Sequence, residues 1–473
     1  MRHNFTIILF SGFSFLLHAQ EWQQIGNFNR APTCLFNDTI DNILYVGGSF
    51  KFNGTDILNG ISFYNGSVFY PMQQGRTDAC GTVACTNLAY INRYKNEIYV
   101  GFVGDQISGI PVQGVAKWDG VSWSPVGNPG LFYSPFTIPG LNGSYEKDGL
   151  IYCVGLFRTA DGDTCNSVAT WDGVHWKGMA FPPNVGGDIP VLKSITYYKG
   201  EWYVSGNNYT ILDGAENDDI ARFDGTSWHS VGGGMLGGDS FIEDMVVYKD
   251  ELYICGYFAK NAGNKGNKIM RWDGNQWKEV GGGLCSPYDI ATDMMVYQDK
   301  LYVVGIFNCV GNGLPASDIA VWDGEKWCSF GNSIFDNKLN CIGAYKDEIY
   351  VGGGFTIING QPSSYFAKYV GDHSTDTCQT VISGVSDLEA RPRLEITPNP
   401  AQDYLNLQME NSPTPIESIE ILDASGRNCS QIIDWKTTDY STGQLHIQRL
   451  PAGWYCVRVR CADRVLVRRF VKG

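Results

Sequence analysis

Asp244 and Asp293 stand in equivalent places, each four residues before a tyrosine (Tyr248, Tyr297) that recurs along the chain. Two carboxylates brought to one mouth can bind a cation or divide the acid and base work of glycoside hydrolysis. The plainer alternative is that they cap turns or accept backbone amides. A second set is aromatic: Phe132, Tyr133 and Phe136 crowd one segment, and Tyr288 stands in another. Exposed rings of this kind stack on the apolar faces of sugars, or else simply cover strand ends. Asp161 opens "DGDTCN", which has the D-x-D start of a calcium loop, but a single match reads more simply as a solvated turn. There is no paired C-x-x-C motif and there are only six histidines, so no metal site and no cofactor is expected.

These residues are positioned by a repeat. "LYVGGSF" at 44–50 returns as "IYVGGGF" at 349–355, and its tyrosine recurs at Tyr45, Tyr99, Tyr152, Tyr203, Tyr253, Tyr302 and Tyr350. A second word follows each first one, from "FYNG" through "KWDG", "TWDG", "RFDG", "RWDG" and "VWDG" to "KYVG". A period near 50 residues means one supersecondary unit copied in series. Each copy reads as four strands. In the fifth, "IEDMVVYKDE" and "LYICGYF" are the first two, "KIMRW" the third and "QWKEVG" the fourth, with Asp273-Gly274 as the hairpin turn. The chain is therefore expected to be all-β, a seven-bladed β-propeller. The last copy lacks a "W..VG" strand, and "EWQQIG" near the N-terminus supplies one. Trp22 to Gly26 is thus expected to complete blade seven and close the ring, removing two open edges. Ten of the thirteen tryptophans fall in third- or fourth-strand slots, which marks them as core.

The "YVGG…WDG..W..VG" pattern resembles kelch-like and galactose-oxidase-like propeller repeats over residues 20–372, and is similar to the repeats of a fungal cell-polarity cortical marker. The paired glycines persist only at Gly47-Gly48 and Gly352-Gly353, a departure from kelch proper. A copper radical oxidase would need two histidines converging on one face, but His175 and His229 fall in hairpin strands of different copies. The "DG..W" word is similar to the sialidase Asp-box but lacks its intervening residue. No inner strand carries the arginine trio a sialidase would need.

Outside the ring, "MRHNFTIILFSGFSFLLHAQ" has Arg2, an apolar run from Phe5 to Leu17 and Ala19 before a cut, so residues 1–19 read as a secretory signal peptide. An exported chain with fourteen cysteines permits disulfides, and Cys80 with Cys85 is the best local pair. Residues 373–392 read as a linker. Residues 393–473 alternate like a small β-sandwich. They carry Pro398-Asn399-Pro400 with Asp403 and Leu405, then Gly426-Arg427, then Leu450, Gly453 and Tyr455, and finally Lys472. This order resembles the type A C-terminal sorting domain of the type IX secretion system of Bacteroidota. The resemblance implies secretion or display at the outer-membrane cell surface, with the secretion machinery as partner.

Residues 393–473 hold ten Lys/Arg and nine Asp/Glu, net +1, so the remainder of a chain of net charge −14 carries −15. An acidic ring excludes nucleic acid as a partner, and no apolar run is long enough to span a membrane. Turns after strands one and three are tight. The connections 127–143, 178–192, 232–242 and 281–291, with the loops after strand two, are long and share one face, where binding residues concentrate. The expected function is non-catalytic binding of glycan or protein through Tyr133, Phe136, Tyr288, Asp244 and Asp293. The alternative is a polysaccharide hydrolase or lyase using the two carboxylates.

Overall fold

The computed structural model describes residues 21–75, 88–133, 139–213, 215–237, 240–286, 288–330, 334–371, 393–410, 416–423, 428–429, 434–437, 442–461 and 464–473. The signal sequence, Cys80 with Cys85, Phe136, the linker and Gly426-Arg427 lie outside them. The chain divides into two compact units, residues 1–380 and 381–473.

Among the described residues the first unit contains seven four-stranded antiparallel sheets, six of them ordered as the chain runs. Their first strands are Pro32–Asp38, Leu88–Tyr94, Gly140–Lys147, Val191–Tyr198, Phe241–Tyr248, Ile290–Tyr297 and Leu339–Tyr345. We number the sheets one to seven in that order. Sheet seven takes its fourth strand from the other end of the chain: Trp22–Gln24 pairs antiparallel with Phe366–Tyr369, Trp22 opposite Tyr369. The first strands neighbour one another in numerical order, and that of sheet seven also neighbours that of sheet one. The architecture is all-β and propeller-like.

Sequence explains the elements locally. Second strands are covered on both faces, so they read as unbroken apolar runs such as Leu252, Tyr253, Ile254 and Cys255, all buried. The "DG" hairpins are Asx turns. Asp273 Oδ1 accepts the amides of Asn275 (2.7 Å) and Gln276 (2.8 Å), and Gly274 takes a φ of 102° that only glycine adopts freely. Asp119, Asp172, Asp224 and Asp323 repeat the device. These amides hold the carboxyls of Asp119, Asp172 and Asp273 below the usual range.

Adjacent sheets are joined by recurring latches. The fourth-strand indole donates to a carbonyl at the end of the preceding sheet: Trp123 to Met72, Trp176 to Val126, Trp277 to Val231 and Trp327 to Val280. First-strand tyrosines donate forward, as Tyr198 does to the Asp250 carbonyl and Tyr248 to that of Asp299. Hairpin lysines reach the next "DG" turn, Lys199 to the Asp273 carbonyl and Lys249 to that of Asp323. Sheet seven makes the same reaches onto sheet one: Tyr345 to the Asn42 carbonyl and Lys346 to that of Asn65, each 2.8 Å.

The connections after second strands, expected as loops, are mostly two-stranded ribbons: Phe52–Asn53 with Asp56–Ile57, Gln106–Ile107 with Ile110–Pro111, Thr159–Ala160 with Asp163–Thr164, Cys309–Val310 with Leu314–Pro315, and Ile357–Ile358 with Gln361–Pro362. The strands are too short for periodicity to announce them.

The second unit has a four-stranded sheet (Arg393–Thr397, Tyr404–Glu410, Thr442–His446, Asp434–Thr437) and a three-stranded one (Ile416–Asp423, Gly453–Cys461, Arg464–Lys472). Leu405, Leu407 and Leu445 from the first sheet share one core with Ile421, Val457, Val459 and Phe470 from the second.

Candidate functional site

Every first strand carries one extra residue relative to its partner, a β-bulge at Thr33, Ala89, Asn142, Lys193, Glu243, Thr292 or Asn340. Several bulged side chains reach the next sheet's backbone: Thr33 Oγ1 donates to the Leu88 carbonyl (2.6 Å), Asn142 Nδ2 to Leu192 (2.7 Å), Thr292 Oγ1 to Leu339 (2.7 Å) and Asn340 Nδ2 to Pro32 (3.2 Å). The residue after each bulge occupies an equivalent slot: Cys34, Tyr90, Gly143, Ser194, Asp244, Asp293 and Cys341. Asp244 and Asp293 therefore sit side by side on sheets five and six, as their common spacing implied.

All four carboxylate oxygens of this pair are engaged. Asp244 accepts from Ser194 Oγ (3.3 Å) and the Met294 amide (3.2 Å). Asp293 accepts from the Met294 and Ile342 amides, both 2.9 Å. The two side chains thus stitch sheets four to seven together. Burial raises Asp244 to about 6, and burial with the neighbouring Asp244 charge raises Asp293 well above the carboxylate range. Cys255 and Cys341 lie close enough for these carboxylates to add to the upward push of burial on their thiols, and Cys34 is raised likewise. Such thiols are poor nucleophiles. Among the described residues, no group of three or more His, Cys, Asp or Glu side chains could hold a metal ion.

On the ribbon face, Tyr288 is 84% exposed, on a turn in which the Asp289 carboxylate accepts the Ser286 amide at 2.7 Å. Tyr133 is half-buried beside the Leu131–Phe132 strand, which pairs with the Thr159–Ala160 ribbon strand. The two tyrosines belong to connections ahead of different sheets, three and six. The suspected calcium loop is a splint. Asp161 Oδ1 accepts the Asn128 (3.0 Å) and Gly130 (2.8 Å) amides, and Oδ2 accepts the Trp176 amide (3.0 Å). A disulfide, Cys285–Cys309, staples the Tyr288 connection to the ribbon of sheet six. Sequence could not have paired these cysteines, because their apposition depends on the ribbon.

In the second unit the described residues of the expected sorting motif make contacts within the unit. Asn399, flanked by Pro398 and Pro400, accepts the Val471 amide through Oδ1 (2.9 Å). The Asp403 carbonyl accepts the Ile447 amide. Gly453 opens the strand in which Tyr455 stacks on Phe470 and donates its hydroxyl to the Pro451 carbonyl (2.9 Å). Lys472 closes the final strand and bridges to Ala401.

Two classes of unit are therefore present, a propeller-like all-β unit and a small two-sheet domain. Residues 395–473 match the family described as "Secretion system C-terminal sorting domain". This is a type IX sorting domain, which implies export to the cell surface or secretion and interaction with the type IX machinery. Among the described residues, no helix is long and apolar enough to cross a membrane. No curated protein matches the chain. Similar solved structures include "Crystal structure of RRP9 WD40 repeats" and "Structure of U3-55K". Each is 9% identical with a TM-score of 0.44, over 74% of this chain and 97% and 98% of those chains, respectively.

Proposed function

We propose that residues 20–372 form a kelch-like, seven-bladed propeller, closed by the Trp22–Gln24 strand, that binds a glycan or protein ligand without transforming it. The proposed domain plan adds a signal peptide at 1–19, a linker at 373–392 and a sorting domain at 393–473, in a chain of Bacteroidota type. The observation that carries the non-catalytic reading is the engagement of all four Asp244 and Asp293 oxygens by hydrogen-bond donors of the protein. A hydrolase would need one carboxyl free to protonate a leaving oxygen and the other free to face the sugar. Tyr133, Phe136 and Tyr288 are the proposed contacts on the ribbon face. Incubating the full chain with arrayed glycans, with product analysis by mass spectrometry, tests the reading. Retention of an intact ligand is expected. Shortened or unsaturated products would install the hydrolase or lyase alternative in its place.

The sorting domain is proposed as an address and not a folding aid. Truncation after Asp372 is expected to leave a soluble, folded ring that accumulates in the periplasm of the native host. Normal display of the truncated chain at the cell surface, followed by fractionation and immunoblotting, would defeat this expectation.

A further inference from the structure

The repeats supply their own control, and one seam departs from it. The repeat tyrosine of the second strand is buried in six sheets and half-buried only at Tyr152. The third-strand aromatic is buried in six and half-buried only at Phe223, and the fourth-strand aromatic only at Trp228. These three exceptions meet between sheets three and four, where with Tyr197 and Trp202 they line a groove of about 900 Å³.

Three departures in the repeat meet there. At four described seams the fourth strand ends in a glycine at positive φ (Gly26, Gly127, Gly232 and Gly281), and a Cβ on Gly127, Gly232 or Gly281 would lie only 2.5, 2.6 or 2.5 Å from the ring of Trp176, Trp277 or Trp322; between sheets one and two the residue is Gln73, at a φ of 54°, and Trp123 is still buried. At this seam the residue is Ala180, at a φ of 49°, and Trp228 is half-buried. Trp228 keeps its indole bond to the Met179 carbonyl (3.1 Å) and packs edge-on against Phe181 (4.7 Å). Second, the third-strand indoles of Trp171 and Trp322 donate to the hydroxyls of Tyr99 and Tyr253. Phe223 offers Tyr152 no such donor. Third, the position before the repeat tyrosine is Leu or Ile in six copies and Trp202 in the fourth, where it stacks on Tyr152 at 3.6 Å and meets Tyr197 edge-on at 4.9 Å.

We infer that this seam is a binding subsite for a neutral glycan chain. The inference rests on the ligand-binding reading above and deepens it by naming a site and a ligand class. The half-buried rings of Tyr152, Tyr197, Phe223 and Trp228, with the buried Trp202 among them, suit the apolar faces of pyranoses. The rim balances Lys147 and Lys177 against Asp148 and Asp224, with Lys147 paired to Asp148 at 2.9 Å, so it selects no net charge. A chain of net charge −14 repels polyanions. The groove is reached from the hairpin turns and from Met179–Pro182, away from Tyr133 and Tyr288.

The test is titration calorimetry of the full chain with cellohexaose, xylohexaose, laminarihexaose, maltohexaose and mannohexaose, and with hexagalacturonate as the anionic comparison. At least one neutral hexasaccharide is expected to bind with a Kd below about 1 mM, and hexagalacturonate is expected not to bind. The double variant Ala180→Gly/Trp202→Leu installs residues that other copies use at these places. It is expected to lose at least about tenfold in affinity, with Trp454→Ala, which removes an exposed ring of the second unit, staying within about threefold. Should the double variant fold poorly, Trp202→Leu alone decides by the same criterion. Undiminished binding by the groove variant, or an equal loss in Trp454→Ala, overturns the seam and leaves the binding reading intact. No binding of any neutral hexasaccharide also overturns the seam, and the glycan array then judges the broader reading by itself.

Discussion

Trp22→Ala is expected to destabilise the ring by about 3–5 kcal/mol, the usual cost of emptying a buried tryptophan site. The indole is fully buried and packs edge-on against Phe330, Phe335 and Tyr369 at 5.2–6.1 Å. It also anchors a strand supplied from the far end of the chain. Deleting residues 20–27 is expected to do more, because Phe366–Tyr369 then becomes an unpaired edge that invites aggregation. Thermal melts with light scattering check both. A melting temperature unchanged by the deletion would mean that the Trp22–Gln24 strand contributes nothing to the ring.

A second large effect concerns pH. Burial lifts Asp244 from its ordinary value of 3.8 to about 6, so the folded state holds a proton that the unfolded chain has released between those values. The native state binds more protons there, and stability must fall as pH rises through that window. A shift of that size corresponds to about 2–3 kcal/mol, present near pH 4 and lost by about pH 7. Asp244→Asn removes the charge and keeps both contacts. Its carbonyl oxygen accepts the Met294 amide, and its NH2 donates to Ser194 Oγ. The variant is expected to match the wild type near pH 4 and to exceed it by about 1–3 kcal/mol near pH 8 in urea unfolding. Asp293→Asn is expected to do worse than Asp244→Asn, because the oxygens of Asp293 serve two different backbone amides and an asparagine oxygen can serve only one of them. Parallel pH profiles for Asp244→Asn and wild type would show that the carboxyl does not titrate as argued.

The repeat period, the four-strand plan and the missing last strand were readable because each depends on residues that recur: the tyrosine, the "DG" turn and the tryptophans. The placement of Asp244 and Asp293 on neighbouring strands followed from equal spacing. Their hydrogen bonds did not, because the Ile342 and Met294 amides face them only once the bulges have set the register. Asp161 shows the same limit: its D-x-D spelling says nothing of the Gly130 amide that it caps. The seam between sheets three and four went unread for a different reason. Ala180, Trp202 and Phe223 each look like tolerable variation alone, and only their meeting in space makes a groove.

The fourth strand of sheet seven also sets an order of events. Trp22 and Tyr369 are 369 − 22 = 347 residues apart, and pinning them together in an open chain costs about 5 kcal/mol of loop entropy. Once sheets one and seven stand side by side, the same strand hangs from sheet one by the short stretch 25–31, and the cost nearly vanishes. Zipping Trp22–Gln24 home is therefore fast as a final step and slow as a first one. A chain emerging from the ribosome or from an export channel carries its first residues unpaired until its last repeat arrives. Assembly of this protein thus registers the completeness of its own synthesis.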